Sequence, residues 1–218
     1  MPVDKAWEHV FGFSLLNDWS ARDMQLWEYQ PLGPFLAKSF ATSVSPWVVS
    51  SEALAPFRTA ACARVEGDPA PLPHLWDVQD QQTGGLNIRL DASLRTASMR
   101  ECNVPAQRLS RSNTATLYWT FAQMLAHHTS NGSGLEVGDL MGTGTVSGGQ
   151  PDALGSLLEI TKGGSQPLDI TATGEQRTFL QDGDELVLHG CCERTGFVSI
   201  GFGTCVGTLL AAAAKVSA

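Results

Sequence analysis

Apolar positions along the chain predict many short elements instead of a few long ones. Every second residue over 86–94 is apolar, which is the period of a half-buried strand. An apolar run over 11–16 indicates a buried strand, and residues 22–29 have helical spacing that ends before Pro31. A longer helix is predicted over 114–128, with its cap at residue 113 or 114, because apolar side chains recur along one face.

Turn signals divide the rest of the chain. The extended stretch 44–49 leads into a helical turn at 51–54 with Ser50 as its N-cap, and residues 65–84 have the Pro, Asp and Gln content of a surface loop. The tripeptide at 182–184, Asp-Gly-Asp, predicts a hairpin-type turn. We predict one mainly β domain with a few helices, a mixed α+β fold, because no repeat or linker divides the chain. Glycine-punctuated strands are predicted at 140–147, 157–161, 178–180, 185–190 and 198–202.

The amino-acid composition limits the kinds of binding partner and the cellular location that we expect for this chain. The 218 residues carry 14 Lys and Arg against 22 Asp and Glu, a formal net charge of −8. This acidic balance argues against nucleic-acid binding, which requires a basic face. No apolar run reaches the roughly 18–20 residues that span a bilayer, and the first residues lack the features of a signal peptide. The five scattered cysteines suit free thiols in a reducing compartment, so we expect a cytoplasmic protein without a membrane or nucleic-acid partner.

The densest cluster of polar chemistry lies between residues 17 and 42. Asp18 follows an apolar strand, and Arg22, Gln25 and Tyr29 fall on one face of the predicted helix. Lys38 follows a tight turn and adds an amine. An acid, two cations and neutral donors that converge near strand ends are typical of a site for an anionic, carbonyl-rich substrate. The alternative interpretation is a surface network of salt bridges, which the same residue types also form.

Four blocks of this segment carry a specific resemblance: residues 17–25 (Asn-Asp-Trp-Ser-Ala-Arg-Asp-Met-Gln), 27–29 (Trp-Glu-Tyr), 31–36 (Pro-Leu-Gly-Pro-Phe-Leu) and 38–40 (Lys-Ser-Phe). Together they resemble the signature of the fumarylacetoacetase family. The resemblance implies a β-sandwich roll like the C-terminal fold of that family. It covers nearly the whole chain, since it continues through 45–49, 118–120, 127–128, 144–148, 155–159, 182–185 and 200–203.

The resemblance also implies an activity. Members of the family hydrolyse a carbon–carbon bond of 4-fumarylacetoacetate, a small diketo acid, to fumarate and acetoacetate in the breakdown of tyrosine and phenylalanine. The leaving group is a carbanion, and a divalent cation with nearby positive side chains lets it depart as an enolate. The family implies Mg²⁺ or Ca²⁺ as the cofactor and a homodimer as the assembly.

Four residues match family positions near the metal. By resemblance, Asp18 is a metal ligand, and Lys38 and Thr42 occupy positions associated with a second metal contact. Arg22 and Lys38 stabilise developing charge on oxygen or orient the attacking water. A bland alternative exists for each charged residue: an aspartate also caps helices, an arginine pairs with neighbouring acids, and a lysine extends from apolar loops into water.

The remaining matched positions bear on the substrate and on the base. Gln25 shares the role of Arg22 and, with Tyr29 and Thr145, matches positions that contact substrate. Glu159 matches the carboxylate that orients a histidine base, and an acid within an apolar stretch needs a polar partner. The alternative for Thr145 is an ordinary β-branched strand residue.

Other features depart from the family pattern. The resemblance places this chain, residues 1–218, in the C-terminal part of a single catalytic domain. We therefore expect a small N-terminal β domain, the histidine base and further metal carboxylates to be absent, and the isolated chain to be inactive. Ala37 and Ala41 stand where the family favours glycine. One alternative is a non-catalytic scaffold or dimerisation module. The other is another acylpyruvate hydrolase or decarboxylase, and the block at 27–29 argues against this second alternative.

Overall fold

A computed structural model describes residues 1–212 as a mixed α+β fold with one larger sheet, several two-stranded sheets and short helices. The strands are β1 Gly12–Phe13, β2 Leu16–Asp18, β3 Thr42–Val44, β4 Val49–Ser50, β5 Arg58–Thr59, β6 Gly85–Leu86, β7 Arg89–Arg95, β8 Gln107–Asn113, β9 Leu168–Ile170, β10 Glu175–Arg177, β11 Glu185–Cys192 and β12 Ile200–Thr208. The helices are α1 Val3–Ala6, α2 Arg22–Glu28, α3 Leu36–Ser39, α4 Val78–Thr83, α5 Ala97–Glu101, α6 Phe121–His128 and α7 Leu157–Ile160.

The larger sheet has four antiparallel strands in the order β12-β11-β7-β8. In the middle of the sheet, Leu188 on β11 pairs with Ala92 on β7 and with Cys205 on β12. Alternating apolar residues predict a half-buried strand over 86–94, and the structure confirms it from Arg89 onward as β7, while Leu86 belongs to the separate strand β6. The strand predicted at 185–190 is confirmed as β11, and the one predicted at 198–202 covers only the first three residues of β12. The sequence analysis missed β8, whose residues are mostly polar.

A bulge between β11 and β12 changes which side chains face the core. The register shifts between His189 and Cys191, and Gly203 on the opposite strand has a φ of +68°. An extra residue in one strand reverses the alternation of faces beyond it. Phe202 and Cys205, three residues apart, are therefore both buried. They join one hydrophobic core with Leu15, Leu54, Phe57, Leu86, Ile88 and Cys192.

Two small antiparallel pairs lie beside this core. In one, β2 pairs with β3; in the other, β1 pairs with β4. The predicted strand at 11–16 is therefore interrupted and divided between the two pairs. The helical turn at 51–54 is confirmed, with the hydroxyl of Ser50 accepting a hydrogen bond from the Ala53 N–H at 3.3 Å.

The longest predicted helix begins later than expected. Residues 114–116 form a separate 3₁₀ turn, and α6 begins only at Phe121. The start is fixed by a capping box in which Thr120 accepts from the Gln123 N–H at 3.1 Å while Gln123 accepts from the Thr120 N–H at 3.0 Å. The cap predicted at 113 or 114 exists only for the 3₁₀ turn, where Asn113 accepts from the Ala115 N–H at 2.8 Å, and the prediction that it starts the long helix was wrong.

Other predictions from local pattern were also wrong. Residues 157–161 form the helix α7 instead of a strand, because Ser156 caps the N–H of Glu159 at 3.3 Å. Residues 140–147 and 178–180 form no strand, and 182–184 is a turn in the connection from β10 to β11, which do not pair with each other, so it is not a hairpin turn. The loop at 65–84 contains α4 and a 3₁₀ turn, and α5 was not anticipated.

A buried ion-pair network ties β10 to the start of β11. The guanidinium of Arg177 donates to both carboxylate oxygens of Asp184, at 2.8 and 3.0 Å, and to Glu175 at 3.0 Å. Hydrogen bonds from the Thr173 and Thr96 hydroxyls, together with Arg177, lower the pKa of Glu175 to about 2. Every charged group here has partners, as a buried ion pair requires.

The cysteines and helices bear on two further expectations. All five cysteines are free thiols, as the sequence predicts. Burial raises the pKa of Cys192 to about 12, so this thiol stays protonated near neutral pH. Among the described residues, every helix is too short or too polar to span a bilayer.

Candidate active site

The β2–β3 pair and the two helices between its strands bring together three of the predicted polar residues, Asp18, Lys38 and Thr42. Asp18 at the end of β2 lies opposite Thr42 at the start of β3. The connection between them contains α2 and α3, and the Ala21 N–H donates to the Ala37 carbonyl at 3.0 Å. This bond fixes the start of α2 against α3, the helix that carries Lys38.

Asp18 and Lys38 form an accessible ion pair. The ammonium Nζ of Lys38 lies 2.8 Å from Oδ2 of Asp18, and the side chains are 29% and 51% exposed. Within residues 1–212, Oδ1 of Asp18 accepts no hydrogen bond, and Asp18 caps no helix, since α2 lacks a side-chain cap. Lone pairs of this carboxylate therefore remain available to a ligand.

Arg22 and Gln25 form a second pair on α2. The Arg22 Nη1 donates to Oε1 of Gln25 at 2.8 Å, three residues along the helix. Glu28 and Asp23, the two acids considered as partners of Arg22, accept hydrogen bonds from backbone N–H groups instead. Tyr29, the C-cap residue of α2, is exposed and makes no side-chain hydrogen bond in the part of the chain that the structure describes.

Glu28 positions the helix that carries Lys38, a role that the sequence analysis did not assign. Its carboxylate accepts from the N–H groups of Ala37 at 2.6 Å, Phe35 at 2.9 Å and Leu36 at 3.3 Å. These bonds, led by that of Ala37, lower the pKa of Glu28. No side chain caps α3 from its own N-cap position, so this carboxylate satisfies N–H groups that a local cap would otherwise bind.

The alanines that replace family glycines fit without backbone strain. Ala37 is fully buried in α3, and Ala41 directly precedes β3. Positive φ among the described non-glycine residues occurs only at Asn103 and Lys162. The departure from glycine at 37 and 41 therefore imposes no strained conformation on Lys38 or Thr42.

Thr145 and Glu159 line a separate open cavity of about 540 Å³. One wall is aromatic, formed by Tyr118 and Trp119 with the side chain of Met124. The other residues that line it are Thr116, Leu117, Thr143 and Ser147. Thr145 is exposed and lies in a loop, so the alternative of a strand residue is wrong.

Two serine hydroxyls fix the Glu159 carboxylate. Ser147 donates to Oε1 at 2.8 Å, and Ser156 donates to Oε2 at 2.6 Å. Ser147 is itself held by the Gly155 N–H at 2.9 Å. The spacing Ser156-x-x-Glu159 is the sequence signal that could have identified both the helix and one of these serines. The side chain of Ser147 comes from a distant loop and leaves no local signal.

The described contacts thus form two clusters, one around Asp18 and Lys38 and one around Glu159. The first contains Thr42 and the second contains Thr145, whereas in the described residues the side chains of Arg22 and Gln25 bond only to each other. Within residues 1–212, no hydrogen bond joins the two clusters, and no histidine hydrogen-bonds to Glu159.

The donor set for a divalent cation is incomplete among these residues. Mg²⁺ takes six oxygen ligands and Ca²⁺ takes six to eight, several of them carboxylates in a tight site. In the described part of the chain, no group of three or more His, Cys, Asp or Glu side chains lies close enough to hold a metal ion. Asp18 supplies one carboxylate and Thr42 one hydroxyl, and these alone do not fit a complete metal site.

Comparison with known proteins agrees with the resemblance. The family model described as fumarylacetoacetate (FAA) hydrolase C-terminal matches residues 1–210. Fumarylacetoacetase of Dictyostelium discoideum is 47% identical over 211 residues, which are 96% of this chain and 47% of that protein. The Caenorhabditis elegans and Arabidopsis thaliana fumarylacetoacetases are 49% and 46% identical, over 97% and 95% of this chain and 48% and 46% of their own lengths. The chain spans about half the length of these curated relatives, and it belongs to the fumarylacetoacetate hydrolase family.

Proposed function

We propose that this chain supplies part of the active site of an enzyme that hydrolyses 4-fumarylacetoacetate to fumarate and acetoacetate. The observation that carries the proposal is the accessible Asp18–Lys38 ion pair, with Thr42 opposite Asp18 on the neighbouring strand. An acid and an amine in contact, both partly open to solvent, suit a site for an anionic diketo substrate. The relatives named fumarylacetoacetase support the choice of reaction.

In this proposal, the cationic side chains stabilise charge that develops on substrate oxygens. Cleavage of the carbon–carbon bond leaves an electron pair on carbon, which an adjacent carbonyl takes up as an enolate. Lys38 and Arg22 are proposed to supply N–H donors at this position, and Gln25 accepts from Nη1 of Arg22 through its side-chain carbonyl. Preorganised donors of this kind are the largest single source of stabilisation in many transition states.

We also propose that Asp18 is one ligand of a divalent cation, Mg²⁺ or Ca²⁺, whose site includes Thr42 and Lys38. The remaining ligands lie outside the set of residues described above. The free Oδ1 of Asp18 supports this role, because a carboxylate with a vacant oxygen can bind a cation while Oδ2 keeps its bond to Lys38.

Glu159 is proposed to orient a histidine base that activates the attacking water. Both of its oxygens are held by serines, so the carboxylate has a fixed direction. Its place in the aromatic cavity with Thr145 supports contacts of Thr145 with substrate. Tyr29 is proposed as a further substrate contact, since it is exposed at the C-cap of α2.

The wider assembly is part of the same proposal. We propose that residues 1–218 form the C-terminal part of one catalytic domain with a β-sandwich roll, in a cytoplasmic homodimer. The isolated chain should be inactive for two reasons. Among the described residues, Glu159 has no histidine partner, and no group of three or more His, Cys, Asp or Glu side chains could hold a metal ion near Asp18.

A hybrid enzyme tests the proposed reaction. The segment of Dictyostelium discoideum fumarylacetoacetase that matches this chain is replaced by the chain itself, and hydrolysis is followed by loss of the ultraviolet absorbance of the diketo acid. We expect the hybrid to hydrolyse 4-fumarylacetoacetate with added Mg²⁺ or Ca²⁺, and the isolated chain to show no turnover above the blank. A folded hybrid without hydrolysis would contradict the proposal and favour a non-catalytic scaffold.

A further inference from the structure

The indole of Trp19, the residue after Asp18, lies against the bare backbone of Gly207 on β12. A Cβ built on Gly207 would overlap Cζ2 of Trp19 and would lie 3.2 Å from its Cη2. The glycine has no positive φ, so its backbone conformation alone does not exclude a side chain. Space for the indole is therefore the reason that this position favours glycine.

The nitrogen of the same indole is held by β3. Nε1 of Trp19 donates to Oγ of Ser43 at 2.8 Å. Ser43 lies between Thr42 and Val44 on β3, opposite Asn17 on β2. The indole thus lies between the glycine backbone of the large sheet and the strand pair that carries Asp18 and Thr42.

A second indole repeats this arrangement further along β12. A Cβ on Gly203 would overlap Cδ1 of Trp47 and would lie 3.2 Å from its Nε1. The backbone of Trp47 is held next to the same strand pair, because its carbonyl accepts from the hydroxyls of Ser14, before β2, and Ser45, directly after β3, at 2.9 and 3.3 Å. Gly203 also has the positive φ of the bulge, so two requirements coincide there.

We propose that Gly207 and Gly203 are positioning residues for the candidate active site. The two glycines leave room for the indoles of Trp19 and Trp47, and the seated indoles fix where the β2–β3 pair presents Asp18 and Thr42. The catalytic consequence rests on the proposed function. The contacts of the two indoles with these glycines do not depend on the proposed function. Gly201 on the same strand serves as the control, because a Cβ there would meet nothing within 4 Å.

The test compares Gly207→Ala with Gly201→Ala in the full 218-residue chain by ¹H–¹⁵N NMR. We expect Gly207→Ala to shift the Trp19 indole N–H signal and the Asp18 amide signal, and Gly201→Ala to leave both in place. With Trp19→Phe as background, the smaller ring leaves room for the methyl group, so the Asp18 signal should no longer respond to Gly207→Ala. Unshifted Trp19 and Asp18 signals in Gly207→Ala, or equal shifts in Gly201→Ala, would overturn the proposal.

Kinetics of the hybrid enzyme then measure the consequence for catalysis. We expect Gly207→Ala to lower kcat about 10- to 100-fold with little change in KM, the effect of a misplaced reacting group. Gly201→Ala should stay within about twofold, and Gly207→Ala should cost less than about threefold in the Trp19→Phe background. Equal losses of kcat in both backgrounds would overturn the positioning role. An unsubstituted hybrid without activity would contradict the proposed function. It would leave the positioning of the indoles to be tested by the NMR signals, which do not depend on activity.

Discussion

Two carboxylate–cation pairs in this molecule have the same length and opposite surroundings. Arg177 and Asp184 meet at 2.8 Å with side chains only 6% and 0% exposed, and Lys38 and Asp18 meet at 2.8 Å in contact with solvent. Asp184 accepts on both oxygens from Arg177 and also accepts from the Gln181 N–H at 2.9 Å. The carboxylate of Asp18 accepts a hydrogen bond only from Lys38 within residues 1–212.

The difference separates a structural pair from a functional one. A buried carboxylate must have its lone pairs satisfied, because an unpaired charge in the interior is costly. An exposed pair contributes little to stability, since water competes with both partners. A carboxylate that keeps free lone pairs beside an amine is able to bind a ligand, which is the role that we propose for Asp18. The comparison predicts that the two pairs respond oppositely to the same substitution.

The largest expected effect is at the buried pair. Asp184→Asn removes the buried carboxylate that faces Arg177 and leaves only the partly exposed Glu175 to compensate its charge, so we expect a loss of about 3 kcal/mol in the free energy of unfolding. Urea denaturation measures this loss. Asp182→Asn, at an exposed position two residues away, should stay within about 0.5 kcal/mol of the parent. Equal losses at 182 and 184 would remove the structural side of the comparison.

Removal of the exposed amine should affect activity instead. Lys38→Met deletes a positive donor to substrate oxygens, and we expect kcat of the hybrid enzyme to fall about 100- to 1,000-fold. The matched control is Lys5→Met, which removes the surface pair of Lys5 with Glu8 at 3.0 Å. This control should leave kcat unchanged. An equally active Lys38→Met hybrid would contradict the catalytic role of Lys38.

A smaller effect is expected where α3 is anchored. Glu28→Gln replaces a charged acceptor of three N–H groups with a neutral one, so Lys38 should be held less firmly and kcat should fall about tenfold. Glu52→Gln, at an exposed acid, is the control. The bonds to Glu28 lower its pKa, so they act above its ordinary pKa of 4.5 and are lost as the pH falls. Kinetics that do not distinguish the two variants would exclude this anchoring role.

The smallest effect is a pH dependence of stability. The pKa of Glu175 is about 2 in the folded chain against an ordinary value of 4.5. Its stabilising contribution is therefore complete above pH 4.5 and is lost as the pH falls toward 2. Glu175 is partly exposed, so we expect the loss to be below about 1 kcal/mol. Urea denaturation across this range should show a shallower decline for Glu175→Gln, and equal slopes would contradict the assignment.

Local sequence predicted the elements whose signals are short-range. The alternation over 86–94 and the helix at 22–29 depend on neighbouring residues only, and both were found. The strand predicted at 157–161 was wrong because apolar content outweighed the capping signal Ser156-x-x-Glu159. The fourth strand of the sheet, β8, was not predicted because most of its residues are polar, so the strand shows no alternation of apolar and polar positions.

The sequence identified candidate residues of the site but not the contacts that hold these residues in place. Resemblance identified Asp18, Lys38 and Glu159, yet the groups that hold them come from distant segments. Ser147 reaches Glu159 across 12 residues, and Glu28 holds α3 through backbone N–H groups. Gly207 acts through the volume of an indole 188 residues earlier in the chain, a relation that no local pattern encodes.

The most direct test of the functional pair is Asp18→Asn in the hybrid enzyme, with hydrolysis and urea unfolding measured on the same protein. We expect the rate to fall at least ~100-fold, because the amide cannot replace a charged ligand beside Lys38. The free energy of unfolding should change by less than about 1 kcal/mol, since the pair is exposed. A rate within about twofold of the parent, or a loss of stability as large as that of Asp184→Asn, would contradict the distinction between the two pairs.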